Sequence, residues 1–327
     1  MLIRADASPS GGIGHVMRCV ALAQELTARG ATVHFACRSL TSLAGDRLRD
    51  EGFAITEVDP GANLGEVTAA ATPDWTIVDL GTEFSPDELV KVAGRVLVID
   101  DVGQEFSSPP DLVLNQNLHA ARTRYTGVDH GRVLRGPTYL LFRDEFLRAV
   151  TAHDDAPRCG VLLTLGGTDP LRLTLPFADA ILETVEAPLL VLAASAHPDI
   201  ARLRELAIAT PGLQLHEDVP DVARLVARVE LAVTSGGTTV WELAALAVPT
   251  LVGSVGSMEN LLLTGLRERN LFDVLGPFDQ LHPHDLALRV RQRLADRTWQ
   301  AACGRLARST VDQHGRRRVV DAMEHWS

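Results

Sequence analysis

Leu2-Ile3-Arg4-Ala5 is followed, a few residues later, by Gly11-Gly12-Ile13-Gly14-His15 and then by Val16-Met17-Arg18. A short apolar strand thus runs through a glycine-rich turn into a helical pattern that extends from Val16 to Ala28. Strand, tight turn and helix form the building unit of parallel α/β sheets. The glycines let the backbone turn sharply and approach a ligand closely. The helix start offers unpaired N–H groups and a partial positive charge, suited to a phosphate or a developing anion. His15 stands at that junction, and imidazole trades protons near neutral pH more readily than any other side chain. The turn is not a dinucleotide fingerprint. Met17 stands where the third glycine would be, and Ala36-Cys37-Arg38 follows the second strand where an acidic ribose ligand would be.

Outward from this turn the same rhythm continues. Apolar runs end at Ala36, near Ile55, at Val78, at Ile99 and at Leu114, with helical patterns between several of them, including Val16–Ala28 and Pro86–Ala93. Ligands of open α/β sheets bind at the carboxyl ends of strands. Asp79, Asp100 and Asp101 all stand at such ends, within reach of the cleft that His15 faces or as caps of the turns that follow. The stretch Thr151–Pro157 is polar, contains a proline and reads as a linker. A second alternating series follows it, with strands at Cys159–Leu165, Leu189–Ala193, Gln214–His216, Leu231–Val233 and Thr250–Val252. The chain is therefore expected to form two α/β domains, residues 1–150 and 151–327, with a cleft between them. The basic last segment, Arg305–Ser327, reads as helices, the last packing back on the first domain.

With 327 residues, two domains fit the usual length range. A net charge of −11 argues against nucleic acid or an anionic membrane surface as a partner. The four cysteines, Cys19, Cys37, Cys159 and Cys303, are dispersed and form no C-x-x-C pair, so neither a zinc site nor a disulfide framework is expected. No apolar run reaches membrane length, and neither a membrane span nor a signal segment is expected. A cytoplasmic protein is the expectation, with neither metal nor cofactor. His282 and His284 lack a second ligand cluster and read as the start of a surface helix. Arg316-Arg317-Arg318 reads as a solvated helix face.

The second half carries its own constellation. Thr234-Ser235-Gly236-Gly237-Thr238-Thr239-Val240-Trp241-Glu242 follows a strand and opens a helix that ends near Leu246. Small residues again bring N–H groups to a helix start, where a diphosphate would sit. Thr238 and Thr239 add hydroxyls, and Glu242 lies about one turn on, with acceptors for a ribose diol. Gly166-Gly167-Thr168-Asp169-Pro170 is a further glycine-rich turn in the same half.

Together these motifs resemble the UDP-sugar hydrolases of pseudaminic acid biosynthesis and the spore-coat polysaccharide proteins of the same group. Both are similar to the GT-B glycosyltransferases that build the peptidoglycan lipid intermediate. The resemblance spans nearly the whole chain and includes Val98–Asp101, Asn115-Gln116-Asn117 and Leu134–Tyr139. It implies a GT-B-like α/β fold, two Rossmann-like domains with parallel sheets facing a central cleft. It implies His15 as general base, with Asp79 and Asp101 beside it, and Gly12, Gly14 and Arg18 as the rest of the first motif. It matches Gly236, Gly237 and Thr238 to a diphosphate loop; Ser235, Thr239 and the turn Gly166-Gly167 join them as expected phosphate-binding groups from their own place at the glycine-rich turns. It gives ribose to Glu242, uracil to the backbone at Val219 and Pro220, and the sugar side to Glu259 and Asn260. Two departures fall in the sugar half. The hydrolases' Asp-His-Tyr reads Asp79-Leu80-Gly81 here, and the glutamine after Asn260 is Leu261.

The function so implied is cleavage of the anomeric C–O bond of a UDP-sugar with inversion, by a hydrolase. The alternatives are an inverting glycosyltransferase with a small-molecule acceptor, a non-catalytic nucleotide-sugar binding protein and, more remotely, a nucleotide-sugar 2-epimerase.

Overall fold

Two parallel sheets, each wound in the same order, organise the chain. The computed structural model describes residues 1–8, 12–59, 61–81, 84–152, 157–167 and 169–326. Gly11, Thr168 and linker residues 153–156 lie outside these described residues. Packing divides the chain into two compact units, Met1–Asp144 with Gln313–Ser327, and Glu145–Asp312.

In the first unit the strands are β1 (Leu2–Ala5), β2 (His34–Cys37), β3 (Ala54–Glu57), β4 (Trp75–Asp79), β5 (Arg95–Ile99), β6 (Leu112–Asn115) and β7 (Val133–Arg135). They lie side by side in the order β3-β2-β1-β4-β5-β6-β7. The helices are α1 (Gly14–Ala28), α2 (Ser42–Asp50), α3 (Leu64–Ala71) and, at the junction of the units, α4 (Asp144–Thr151). Strand order reverses between β1 and β4, which pair in register from Leu2↔Thr76 to Ala5↔Asp79. Such a reversal opens a crevice at the strands' carboxyl ends, because the connections on its two sides leave toward opposite faces.

The second unit repeats the scheme with β8 (Val161–Thr164), β9 (Leu189–Ala193), β10 (Leu213–Glu217), β11 (Leu231–Ser235), β12 (Thr250–Ser254) and β13 (Asp273–Pro277), ordered β10-β9-β8-β11-β12-β13. Its reversal falls between β8 and β11. The helices are α5 (Thr174–Thr184), α6 (Ile200–Ala209), α7 (Val222–Val226), α8 (Thr239–Ala245), α9 (Glu259–Glu268), α10 (Pro283–Ala295) and α11 (Arg297–Thr310).

The final helix, α12 (Gly315–Glu324), belongs to the first unit. Val319, Val320 and Met323 enter the core shared with α1, and Arg29 of α1 pairs with Asp321 and Glu324 at 2.7 and 2.8 Å. The expected solvated face at Arg316–Arg318 is therefore only part of the picture. Arg317 is exposed, but Arg316 pairs with Asp144 at 2.6 Å, and Arg318 donates to the Thr138 carbonyl at 2.7 Å. Docking of α12 turns two of the three guanidinium groups onto acceptors of the first unit.

The helical pattern at Pro86–Ala93 resolves instead as a 3₁₀ turn, Pro86–Lys91. The chain is already extended at Val92, and Gly94, at φ +77°, turns it directly into β5, so the turn is not continued. Helix α1 begins two residues before the apolar pattern does, and His282 caps α10 through the His284 N–H. Among the described residues, no helix is long and apolar enough to cross a membrane, and no group of three or more His, Cys, Asp or Glu is arranged to hold a metal ion.

Candidate functional site

Side-chain alternation along the central strands decides which carboxylates meet α1. Trp75 and Ile77 of β4, and Leu97 and Ile99 of β5, pack in the core that contains α1, whereas Val78, Val96 and Val98 pack on the opposite face. A period of two therefore sends Asp79, the last residue of β4, toward α1; Asp100 and Asp101 follow the end of β5, and of these Asp101 meets Arg18. On α1, residues three and four apart share a face, which groups His15, Arg18 and Cys19. The topological reversal between β1 and β4 brings these two sets together.

His15 Nδ1 lies 2.6 Å from Asp79 Oδ1. Arg18 grips the same carboxylate with two nitrogens, Nε to Oδ2 at 2.5 Å and Nη2 to Oδ1 at 2.6 Å, and Cys19 Sγ donates to Oδ2 at 3.6 Å. The third guanidinium nitrogen of Arg18 donates to Asp101 Oδ2 at 2.8 Å. Asp79 has no exposed surface and the Arg18 side chain is 5% exposed, while 32% of the His15 side chain reaches solvent. Burial raises the Asp79 pKa, but the charges of Arg18 and His15 outweigh it and hold the pKa well below the usual carboxylate range. The Asp79 charge in turn raises the His15 pKa, against desolvation and the nearby Arg18 cation. With Asp79 ionised, the proton of neutral His15 belongs on Nδ1, where it is donated to the carboxylate. The accepting lone pair is then on Nε2.

Asp100 takes the other course. Its carboxylate accepts from the N–H groups of Val102, Gly103 and Gln104 at 3.2, 2.7 and 3.2 Å and caps the turn after β5. Gln104 donates to the Gly81 carbonyl at 3.1 Å. Gly81 lies against the imidazole at φ +56°, and a Cβ there would come within 3.3 and 3.4 Å of His15 Cε1 and Nε2. Asn117 donates to Asp101 Oδ1 at 2.6 Å, and His119 Nε2 lies 2.7 Å from the Asp101 carbonyl. Sequence reasoning gave Gly81, Gln104 and His119 no role, and took Asn117 only as part of a motif. Among these, Gly81 had a usable signal, two positions after a carboxylate at a strand end. Gly12 bonds Ser8 through both backbone groups, and Gly14 opens α1.

In the second unit, the two glycine-rich turns flank the β8/β11 reversal. Gly166 (φ +83°) and Gly167 follow β8, while Ser235 ends β11 and Gly236, Gly237 and Thr238 lead into α8, whose first residue is Thr239. A Cβ on Gly236 would lie 2.9 Å from that of Glu259, so only glycine lets this loop pass α9. Glu259 turns inward. Its carboxylate accepts from the Val255 N–H at 2.7 Å and bonds the Gly236 N–H and the Ser235 side chain, while burial raises its pKa. Asn260 Oδ1 accepts from the Ser254 hydroxyl at 2.8 Å. Glu242 is half-buried on the first turn of α8. Half-buried Val219 and exposed Pro220 lie between β10 and α7. Sequence reasoning missed the clasp beside Gly166-Gly167. There buried Asp169 accepts from the Leu173 and Thr174 N–H groups and lies 3.2 Å from His197 Nε2.

No family model matches the chain. It is distantly similar to the spore coat polysaccharide biosynthesis protein SpsG of Bacillus subtilis (strain 168), 24% identical over 76% of each chain. It is 23% identical, over 74% of its length and 86% of the relative's, to the UDP-2,4-diacetamido-2,4,6-trideoxy-beta-L-altropyranose hydrolase of Campylobacter jejuni. Among solved structures, spinosyn rhamnosyltransferase SpnG complexed with thymidine diphosphate matches with a TM-score of 0.67 and 15% identity, covering 99% of this chain and 100% of that one. The fold is of the GT-B class, and the similarity is to proteins that process nucleotide sugars.

Proposed function

We propose that the chain is a UDP-sugar hydrolase in which His15 Nε2 is the general base. The observation that carries this reading is the buried Arg18–Asp79–His15 arrangement. Asp79 accepts a hydrogen bond from Nδ1–H, which leaves the lone pair of Nε2 free to take a proton. Water, deprotonated by Nε2, attacks the anomeric carbon. The new C–O bond forms as the bond from that carbon to the diphosphate oxygen breaks, with inversion. Within the second unit, the N–H groups and hydroxyls of Gly166, Gly167 and Ser235–Thr239 are the donors suited to the charge of the departing UDP, and Glu242 is the acceptor suited to its ribose. Asp79 stabilises the imidazolium as it forms, and Arg18 keeps Asp79 ionised. Preorganised charge of this kind needs no rearrangement during the reaction. Glu259, whose acceptors are turned onto the Gly236 loop, shapes that loop in this reading.

A transferase reading draws on one further observation. Gly81 puts no side chain of its own against Cε1 and Nε2 of His15, the edge that an acceptor hydroxyl would have to approach. UDP release from a panel of UDP-sugars, with and without cell extract as a source of acceptors, separates the two. UDP and free sugar without extract are the expected products. Release that depends on extract supports transfer, and no release under either condition sinks both readings.

Two substitutions test parts of this scheme. Glu242→Ala is expected to weaken UDP binding about tenfold or more, the effect of losing a hydrogen bond to a charged group worth ~1.5–3 kcal/mol. Titration calorimetry that gives an unchanged affinity removes the ribose role. Gly81→Ala forces a left-handed backbone on a residue with a Cβ, at ~1–2 kcal/mol, and crowds Nε2. Initial rates are expected to fall about tenfold, since one tenth of the rate corresponds to ~1.4 kcal/mol. A full rate would mean that the working edge of His15 lies elsewhere.

A further inference from the structure

We propose that Asn117 is a positioning residue for His15, acting through Asp101 and Arg18. This inference rests on the function proposed for His15. The chain of contacts is continuous and lies within the first unit. Asn117 Nδ2 donates to Asp101 Oδ1 at 2.6 Å, Asp101 Oδ2 accepts from Arg18 Nη1 at 2.8 Å, and the two remaining donors of Arg18 hold Asp79 under the imidazole.

The geometry explains why a clamp is needed. Asp101 is 32% exposed, in a turn rather than a strand, and a carboxylate so placed has water as an alternative partner. Asn117 offers the second oxygen of Asp101 a fixed donor and is itself only 9% exposed. Its own place is set by Asn115, whose Oδ1 accepts from the Asn117 backbone N–H at 3.1 Å. Asn115 in turn donates to the Tyr125 hydroxyl at 3.0 Å, so the clamp is anchored in the sheet. His119, 2.7 Å from the Asp101 carbonyl, fixes the backbone of the same residue.

Among the described residues, the charged and titratable groups around His15 are Arg18 on its own helix, Asp79 at the end of β4 and Asp101 after β5; Cys19 of α1 reaches Asp79. Asp79 and Asp101 favour the imidazolium and Arg18 opposes it. Releasing Asp101 to solvent leaves the Arg18 cation less compensated beside the ring. Proton affinity at His15 therefore falls when the clamp is cut.

The test is the titration of His15 by histidine-edited NMR of the full chain without substrate, with the resonance assigned by its loss in His15→Gln. Asn117→Ala is expected to weaken proton binding at His15 about threefold, and Asp101→Asn somewhat more, because a nearby charge of opposite sign favours the protonated form. With a UDP-sugar substrate, the acid limb of kcat/KM moves to lower pH in both variants. KM at the optimum stays close to wild type, because neither residue is assigned to substrate. A wild-type His15 midpoint in Asn117→Ala overturns the proposal, whether or not Asp101→Asn moves it. Since the titration needs no substrate, its outcome stands apart from whether the chain cleaves UDP-sugars.

Discussion

His15→Ala is expected to lower UDP-sugar turnover by about 10²- to 10⁴-fold, the range supplied by a positioned general base. The loss should fall on kcat with little change in KM, because the nucleotide is assigned to groups of the second unit. The pH dependence has a definite sign. A base works unprotonated, and the Asp79 charge raises the His15 pKa above the ordinary imidazole value of about 6.5. Wild-type kcat/KM should therefore rise with pH through a midpoint above that value and then level. His15→Ala should lack that limb, and its residual rate should be flat with pH over the same interval. A residual rate that still rises through the same midpoint would assign the base to another group. Full turnover in His15→Ala would remove the mechanism.

The alternation of the sheet was readable in advance, and the meeting of side chains was readable only in part. The apolar runs ending at Val78 and Ile99 located β4 and β5 because their strands are buried on both faces, which leaves a nearly continuous apolar signal. That signal is blind to face, so Asp79, Asp100 and Asp101 looked alike. Only the tertiary contacts distinguish the two that meet Arg18 from the one that caps its turn. β7, three residues long, and β13, interrupted by a register shift opposite Val252 and Gly253, gave too little pattern to read. Asn117 escaped for a different reason. Its partner Asp101 is sixteen positions away, in the turn after a neighbouring strand, and no local period connects them. His15 and Arg18 were read as members of one motif; that Cys19 shares their helix face follows from three- and four-residue spacing and was not drawn. The substrate assignments in the second unit came from resemblance more than from spacing. Glu259 illustrates the difference, being turned onto the Gly236 loop rather than outward.

Asp79→Asn is expected to damage both stability and activity, and the two effects have separate causes. Arg18 is buried, and Asp79 accepts two of its hydrogen bonds. Breaking a buried ion pair from one side costs about 3–5 kcal/mol, because the remaining charge stays out of water. Asp101 still holds one nitrogen of Arg18, which favours the lower end of that range. A loss of ~3 kcal/mol corresponds to about 6–12 °C in Tm for a folding unit of this size. The stability gap between wild type and variant should also depend on pH in a prescribed way. Asp79 has a depressed pKa in the folded chain, so its contribution is complete above the ordinary carboxylate value of about 3.9 and is lost as the pH falls through the folded value. His15 has a raised pKa, so its contribution is complete below about 6.5 and is lost as the pH rises through its folded value. The gap should therefore be wider at pH 5.5 than at pH 9, and should narrow again only in strong acid. Denaturation midpoints at those pH values check this. A gap equal at pH 5.5 and pH 9 would mean that the Asp79 charge is not what raises His15. Activity should fall further than stability alone explains, by about 10³- to 10⁴-fold, since an amide can present its N–H to Nδ1 and so favour the tautomer with its proton on Nε2. In that tautomer the base has no lone pair where water must be activated. His15 would thus be present, correctly placed and unable to accept a proton.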